Sequence, residues 1–390
     1  MNVQVIEQTA VQPRSSSAVY DSSEVPLASS LLAGHMPQID VLRGCAVLLV
    51  VVFHGMAYEA PHVEWGSRIA NAVYGLTAWG WLGVNLFFVI SGVLITGILD
   101  DTVFRENFYR RFYTRRALRI LPAYLAVLGL AWATGFVTPN YVAVCVLFLA
   151  NMPGLLLRHG YVLYGPLWSL AVEEQFYLGW PMLYRGLRRR GMLVLSLGLV
   201  AVCPMLRALA FSGLLHAGDT LSKTWMVADN LAIGAVLAIL LRWPGFSLRR
   251  IIGLGWAMGA VGIVGLAGLF AAQRMGEQDV LRNSVGLSCF QLICGGAVVT
   301  ALWLFRSKRL PRVMRVFVFF GEISYGLYLI HMLLLQMYDR VLGAGFKSDW
   351  RLLLVRFMVA NGIAVGIAVL SRRFFEDPIL RLKSRLAAAK

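Results

Sequence analysis

Residues 76–99 read LTAWGWLGVNLFFVISGVLITGIL, a stretch of 24 residues without one charged side chain. A helix needs about 20 mainly apolar residues to cross a bilayer, so this stretch predicts a transmembrane helix. Residues 284–305 also lack charge. The whole chain is 58% apolar and only 14% charged, whereas soluble domains are about 25% charged. The sequence therefore predicts an all-α, polytopic membrane helical bundle.

The placement of the basic residues (net charge +16) and of the five cysteines argues against a nucleic-acid-binding protein and against a disulfide or metal site. The basic residues lie between apolar segments, where they orient membrane helices, so they do not indicate a nucleic-acid surface. The cysteines are odd in number, fall inside apolar stretches and form no CxxC motif. This pattern predicts packed thiols, with neither a disulfide nor a metal site.

Eleven segments are apolar enough to be candidate membrane spans. They are residues 41–58, 76–99, 120–137, 141–157, 166–184, 192–215, 224–241, 251–272, 284–305, 316–337 and 352–370.

The basic clusters decide how many of these segments cross, because cytoplasmic loops are enriched in Lys and Arg. Eleven crossings would put the basic residues 105–119 and 185–190 on opposite sides of the membrane. The conflict disappears if residues 141–157 and 166–184 together make one crossing. Residues 141–157 are short and end at Met152-Pro153-Gly154, so we expect them to be re-entrant or interfacial. The result is about ten spans, with both termini in the cytoplasm and the protein in the cell (inner) membrane.

This organisation divides the chain into three predicted parts. Residues 1–38 are rich in serine and have no apolar run that could serve as a signal peptide, so we expect a disordered cytoplasmic tail. Residues 39–378 form the transmembrane domain, and residues 379–390 a second cytoplasmic tail.

Ionisable residues inside the spans are candidates for function, because one at the bilayer centre costs about 2.5–3.5 kcal/mol on insertion scales. Arg43 and His54 lie eleven residues apart on the first span, which is three helical turns plus about 20°, or about 16 Å of rise. They therefore share one helix face. A guanidinium binds phosphate well and a neutral imidazole is a good general base. The alternative is that Arg43 reaches the headgroups and His54 bonds a neighbouring helix.

A second basic group, Arg115, Arg116 and Arg119, precedes the third span. Positive-inside topology explains a basic loop without any chemistry. Arg116 and Arg119, however, are spaced i, i+3 and point the same way, which suits a pyrophosphate. Both interpretations stay open. In the second span, Ser91 and Gly92 fit either close helix packing or a substrate contact.

Two further spans carry polar stripes. Ser169, Glu173 and Tyr177 are spaced i, i+4, i+8, whereas the adjacent Glu174 projects about 100° away, so we expect at most one carboxylate in any cavity. Such a stripe faces protein or water, as a substrate contact or as structural glue.

Ser324, Tyr328 and His331 form a similar face. Glu322 lies on the other side of that helix, so it can share a cavity with His331 only if the helix is broken. Arg207, Asp229 and Arg356 are further intramembrane charges, and we expect the arginines to pair with acids.

These segments together resemble the acyltransferase family 3 proteins, integral-membrane O-acyltransferases that modify glycans and related acceptors. The resemblance runs from about residue 39 to residue 378. It rests on six motifs in the order of the family: Arg43-x10-His54, Phe87-Phe88-Val89-Ile90-Ser91-Gly92, Arg116-x-x-Arg119-Ile-x-Pro122, Trp168-Ser-Leu-x-Val-Glu173-x-Gln-Phe-Tyr177, Ser324-Tyr325-x-x-Tyr328-Leu-x-His331 and Phe375-Glu376-x-Pro378.

The resemblance implies acyl-CoA as donor, entering from the cytoplasm, and a hydroxyl as acceptor. It implies His54 and Arg43 as the catalytic pair, Glu322 as a further required residue, and the CoA end at Arg116, Arg119 and Arg115. Ten spans are also the family expectation. The extracytoplasmic SGNH hydrolase-like domain that one subset carries after the last span is not expected here.

We therefore expect transfer of an acyl group, with acetyl as the expected group, from acyl-CoA to a glycan or glycoside, with no permanently bound cofactor. His54 acts either as general base or as nucleophile, and the sequence does not separate the two. Other motif residues are expected to contact substrate: Trp168, Ser169, Glu173, Tyr325, Tyr328 and His331. The rival hypothesis is a transporter or flippase for a glycolipid or small anion, which midplane charges would also suit.

Overall fold

The computed structural model describes residues 36–58, 63, 65, 67–157, 164–215, 221–305, 310–343, 345 and 349–381. These residues form helices and no strand. The α-helices are α1 (Pro37–Val52), α2 (Arg68–Thr77), α3 (Gly83–Thr102), α4 (Phe108–Ala133), α5 (Pro139–Val146), α6 (Leu167–Phe211), α7 (Thr224–Leu241), α8 (Leu248–Ala271), α9 (Leu287–Leu304), α10 (Met314–Glu322), α11 (Ser324–Leu342) and α12 (Trp350–Ser371).

Three of these helices are extended by a turn of π-helix, a local widening that is often found at functional sites. The π-turns are Phe53–Ala57 after α1, Arg282–Gly286 before α9 and Arg372–Glu376 after α12. The predicted tails, residues 1–38 and 379–390, lie outside the described residues except for 36–38 and 379–381. Pro37 already begins α1, and residues 379–381 are helical.

Among the described residues, eight helices are long and apolar enough to cross a membrane, or nine if α10 and α11 count as one bent span. Helix α6 has 45 residues, which would measure about 67 Å if straight and so exceeds a hydrocarbon core of about 30 Å. It is broken at Arg188, which has φ 58° and ψ −175°. Its two halves match the predicted spans 166–184 and 192–215. Counting each half as a crossing gives the predicted ten, and the polytopic helical bundle is confirmed.

The segment expected to be re-entrant is too short to cross. Helix α5 has eight residues, about 12 Å of rise, and is followed by a single 3₁₀ turn, Pro153–Leu155. Gln175 of α6 holds this segment in place, because its amide donates to Phe148 O (2.7 Å) and to Asn151 Oδ1 (3.0 Å). Its irregular backbone is thus bonded to protein, as non-helical chain at membrane depth requires.

Glycines set the closest helix contacts. A Cβ on Gly92 of α3 would lie 2.1 Å from Leu231 O, and one on Gly234 of α7 would lie 2.1 Å from Val89 O. Helices α1 and α10 meet in the same way, at Gly44 and Gly321. Small residues let helix backbones approach closely in lipid, where the hydrophobic effect does not drive association. Gly92 is therefore a packing residue, as one of the two open interpretations held.

The expectation of one helix over residues 316–337 is wrong, because α10 and α11 meet at Ile323 with a bend of 76°. The buried arginines pair as expected. Arg207 binds Asp229 at 2.7 Å, and Arg356 binds both carboxylate oxygens of Asp339 at 2.6 and 2.7 Å. Arg356 also donates to Gly55 O, so this pair braces the π-turn that contains His54.

Candidate active site

A cavity of about 320 Å³ lies between α1, α3, α4, α6 and α11, at the lower end of the range for small-molecule sites. Its walls combine apolar side chains, among them Phe87, Phe88 and Leu94, with a few convergent polar groups. The five helices that form it are those that carry five of the six sequence motifs.

Three guanidiniums line one end of the cavity, those of Arg43, Arg116 and Arg119. Arg43 is close to Asp40, with 3.8 Å between Nη1 and Oδ1. Among the described residues, Arg116 and Arg119 make no ion pair with a carboxylate. The guanidinium of Arg116 instead lies over the ring of Tyr177, 5.4 Å from its centroid. This end of the cavity therefore offers two arginines to an anion.

The predicted stripe on α6 faces the cavity, since Ser169, Glu173 and Tyr177 all line it. Glu173 accepts hydrogen bonds from Ser91 (2.8 Å) and from Tyr177 (3.2 Å). Gln175, which lies off this stripe, points away to the segment between α5 and α6. The stripe is confirmed, and Ser91 joins it across the cavity from α3.

The expectation that only one of the two adjacent carboxylates faces a cavity is wrong. Glu174 also lines this cavity and is 8% exposed. The two side chains leave α6 about 100° apart, and the cavity is wide enough to follow the helix surface over that angle. Three acids, Asp40, Glu173 and Glu174, thus lie in the wall with the three arginines.

Helix α11 closes the inner end of the cavity. Ser324, Tyr325 and Tyr328 line it, and Tyr325 donates to Ile120 O at 2.8 Å. Ser169 directs its hydrogen to Pro166 O, so its oxygen accepts the 2.5 Å bond from the Tyr328 hydroxyl. Tyr328 is the deepest residue of α11 in the wall, one helical turn before His331.

Beyond Tyr328, two histidines from different helices meet. His331 Nε2 lies 3.2 Å from His54 Nδ1, and the Tyr328 ring is 5.8 Å from that of His331. His54 lies in the π-turn after α1 and is partly exposed, with Tyr58 against one edge of its ring at 5.4 Å. Neither histidine is in the cavity wall. Helix α11 thus meets both motif residues of α1: Ser324 and Tyr328 lie at the cavity that Arg43 lines, and His331 lies against His54.

The cavity nevertheless comes close to the histidines along α3. Val84 lines its inner end, and the neighbouring Gly83 packs on Ala46 O and the Val50 side chain. Val50 lies one turn before His54 on α1. The inner end of the cavity is therefore about one helical turn from the histidine pair.

Besides His54, four expected site residues lie outside the cavity wall. His331 is fully buried beside His54 and does not line the cavity. Trp168 packs edge-on against Phe88 outside the wall, and Arg115 is exposed. Glu322 is exposed as well, at the end of α10. The helix is indeed broken beside it, but the break does not bring it to the cavity, and its catalytic role stays a prediction.

Sequence reasoning missed Asp40 and Tyr164. Asp40 has a signal, since it precedes Arg43 by three residues on one helix. Tyr164 has none, because it stands alone in a connection between α5 and α6. Its hydroxyl accepts from Leu333 N (3.0 Å) and donates to Leu329 O (2.6 Å), on either side of His331.

Comparison with known proteins identifies the family of this chain. A family profile described as an acyltransferase domain matches residues 36–372. The chain is 28% identical over 388 residues to a provisionally named O-acetyltransferase of Staphylococcus aureus strain MSSA476. It is 26% identical over 390 residues to the O-acetyltransferase OatA of S. aureus strain NCTC 8325. Each alignment covers 88% of this chain and 57% of the relative, so the chain spans just over half of their length. No solved structure matches the chain.

Proposed function

Because the chain belongs to acyltransferase family 3, we propose that it is an O-acyltransferase that moves an acetyl group from acetyl-CoA to a hydroxyl of a glycan or glycosylated acceptor. The relatives named as O-acetyltransferases support the reaction class. One observation carries the proposal: a cavity lined by arginines ends about one helical turn from the partly exposed imidazole of His54.

The donor binds with its phosphates at the arginine end of the cavity. Arg116 and Arg119 make no ion pair in the described part of the chain, so their forked donors are available for phosphate oxygens. The pantetheine arm follows α1 from Arg43 toward His54, a rise of about 16 Å. Asp40 lies beside Arg43, and Glu173 and Glu174 offset part of the positive charge of the cavity wall.

His54 provides the base. The acceptor hydroxyl gives its proton to the imidazole, and its oxygen attacks the thioester carbonyl carbon. The C–O bond of the new ester forms while the C–S bond breaks, and the thiolate of CoA takes the proton back from the imidazolium. Base and acid roles then fall to one group that returns to its starting state.

The second route open to the same imidazole is nucleophilic. Its nitrogen attacks the thioester carbonyl carbon, the C–S bond breaks, and CoA leaves as the thiolate. The acceptor oxygen then attacks the acyl-imidazole, the C–N bond breaks, and the freed nitrogen takes the hydroxyl proton and returns it to solvent. A stoichiometric burst of free CoA without acceptor belongs to this route alone. Single-turnover measurement of free thiol therefore separates the two.

The test uses His54→Gln in the full-length protein. We expect the variant to insert in the membrane and to be thermally stabilised by acetyl-CoA like the wild type, yet to transfer no acetyl group. Transfer at the wild-type rate would refute the role of His54. If acetyl-CoA does not stabilise the wild-type protein, and the wild type transfers no acetyl group from it, the transporter hypothesis would be favoured.

Donor entry from the cytoplasm requires the arginine end of the cavity to face that compartment. We propose cytoplasmic termini on the basis of the basic loops at residues 105–119 and 185–190. Sided labelling of single cysteines introduced in these loops tests the orientation. Mass spectrometry of surface glycans from cells with and without the gene identifies the acceptor.

A further inference from the structure

We propose that His331 is a positioning residue: it holds the imidazole of His54 by the Nδ1 side, so that Nε2 is the atom presented to the acceptor. The inference rests on the proposed function and deepens it, because it assigns the basic atom and removes His331 from the substrate-binding set. Its starting observation is the 3.2 Å contact between His331 Nε2 and His54 Nδ1.

The protonation of both rings follows from their carbonyl partners. His331 Nδ1 lies 3.1 Å from Leu327 O, and a carbonyl only accepts, so this nitrogen carries hydrogen. A neutral His331 then has its lone pair on Nε2, the atom that faces His54. His54 Nδ1 lies 3.1 Å from Val50 O and therefore carries hydrogen too. The Nδ1 hydrogen of His54 is shared between Val50 O and the lone pair of His331 Nε2. The lone pair of His54 is therefore left on its own Nε2.

This arrangement suits a base that becomes charged during the reaction. When Nε2 of His54 accepts the proton of the hydroxyl, the Nδ1 hydrogen of the imidazolium remains bonded to two acceptors, Val50 O and the lone pair of His331. A fixed acceptor on the far nitrogen stabilises the developing charge and keeps the ring in one orientation, as the carboxylate does for the histidine of a serine protease triad. Here a second, neutral imidazole takes that position.

His331 itself is held by a brace from Tyr164. The Tyr164 hydroxyl accepts a hydrogen bond from Leu333 N and donates one to Leu329 O, so it binds the helix backbone two residues before and two residues after His331. Tyr164 is 2% exposed and His331 0%. The helix around His331 is thereby fixed to the chain that precedes α6, and the ring has no solvent-filled space to rotate into.

A matched pair of substitutions tests the proposal. In His331→Gln the side-chain amide reaches the position of Nε2, so the contact with His54 is retained. In His331→Asn the amide reaches only the position of Nδ1, so the bond to Leu327 O is retained and the contact with His54 is lost. Both variants keep a polar group that bonds within α11, so both are expected to fold.

We expect kcat of His331→Asn to fall by about 100-fold, the lower part of the effect of a general base, and kcat of His331→Gln to stay within about tenfold of the wild type. KM for acetyl-CoA should remain within about twofold in both, because His331 does not line the donor cavity. Equal kcat values for the two variants would overturn the inference. A rise in KM with unchanged kcat would return His331 to substrate binding.

The further variant Tyr164→Phe keeps both imidazoles and removes only the Tyr164 hydroxyl. It should lower kcat without changing KM, and wild-type kcat would show that the bonds of this hydroxyl do not position His331. An inactive wild type, in contrast, would refute the proposed function itself. The two failures are therefore distinguishable in one set of assays.

Discussion

Glu173 and Ser91, which are 82 residues apart in sequence, are joined by a 2.8 Å hydrogen bond in the wall of the cavity. The bond links α6 to α3, and Tyr177 donates to the other carboxylate oxygen. A carboxylate enclosed in a helical bundle is tolerated when its oxygens are bonded in this way. The contact therefore gives Ser91 a role in preparing the site, beyond the packing of its neighbour Gly92.

We predict that Ser91→Ala lowers stability by about 1–3 kcal/mol, because it leaves one oxygen of Glu173 without its donor. Glu173→Gln should then be less harmful in the Ser91→Ala background than in the wild type. Reversible unfolding in mixed detergent and SDS micelles measures both. Strict additivity of the two substitutions would contradict the coupling, since residues in contact usually deviate by about 0.5–3 kcal/mol.

The arginine end of the cavity offers a comparison between neighbours. We predict that Arg116→Ala weakens acetyl-CoA binding by about 10- to 100-fold, the loss expected for a charge-assisted hydrogen bond of about 1.5–3 kcal/mol. Arg115→Ala is the matched control: it removes the same charge one residue earlier, where the side chain is exposed and outside the cavity wall.

Titration of the melting temperature with acetyl-CoA gives both affinities. Equal losses in the two variants would mean that the basic end acts only through its overall charge, and would remove the specific contact with Arg116. Raising the salt concentration should reduce the difference between Arg115→Ala and the wild type more than that between Arg116→Ala and the wild type, because exposed charges are screened more strongly.

The sequence was sufficient for most of the helices and for one wall of the site. Apolar length located the spans, and the spacing of Ser169, Glu173 and Tyr177 predicted their common face, because both depend only on the geometry of a single helix. The i, i+3 spacing of Arg116 and Arg119 predicted for the same reason that the two side chains point the same way. The sequence did not predict which helices contact each other.

The break at Ile323, the partners of Arg207 and Arg356, and the contact of His54 with His331 all depend on how distant helices pack. Residues 316–337 have the length and mean hydropathy of one span, and no proline marks the bend. Gly321 indicates a close approach only once Asp40 O of α1 is seen against it. Hydrophobic periodicity contains no information on such a partner, so these features required coordinates.

The close contact between α1 and α10 leads to a third prediction. A Cβ on Gly44 would lie 1.9 Å from Phe317 O, so Gly44→Ala forces α1 away from α10 and should sharply reduce the yield of folded protein. Gly362→Ala is the control, since an added Cβ there meets nothing within 4 Å and alanine favours a helix interior by about 1 kcal/mol. Size-exclusion profiles in detergent compare the two, and an equal yield would contradict the contact.

The fourth prediction concerns Arg207 and Asp229, an ion pair closed to solvent on both sides. Removing one partner leaves an uncompensated buried charge, so Arg207→Met should lower stability by about 3–5 kcal/mol. The double substitution Arg207→Met with Asp229→Leu should recover most of that loss, because an apolar pair of similar volume carries no desolvation penalty. Neither residue lines the cavity or contacts His54.

The kcat of the folded double variant, Arg207→Met with Asp229→Leu, should therefore match that of the wild type. Unfolding measurements and acetyl-transfer assays on the same preparations separate the two possible roles of this pair. A stable double variant without activity would give the pair a part in the reaction. A double variant as unstable as Arg207→Met would instead mean that the other bonds of Arg207, to Met226 O and Ser288 Oγ, contribute more to the bundle than its charge partner does.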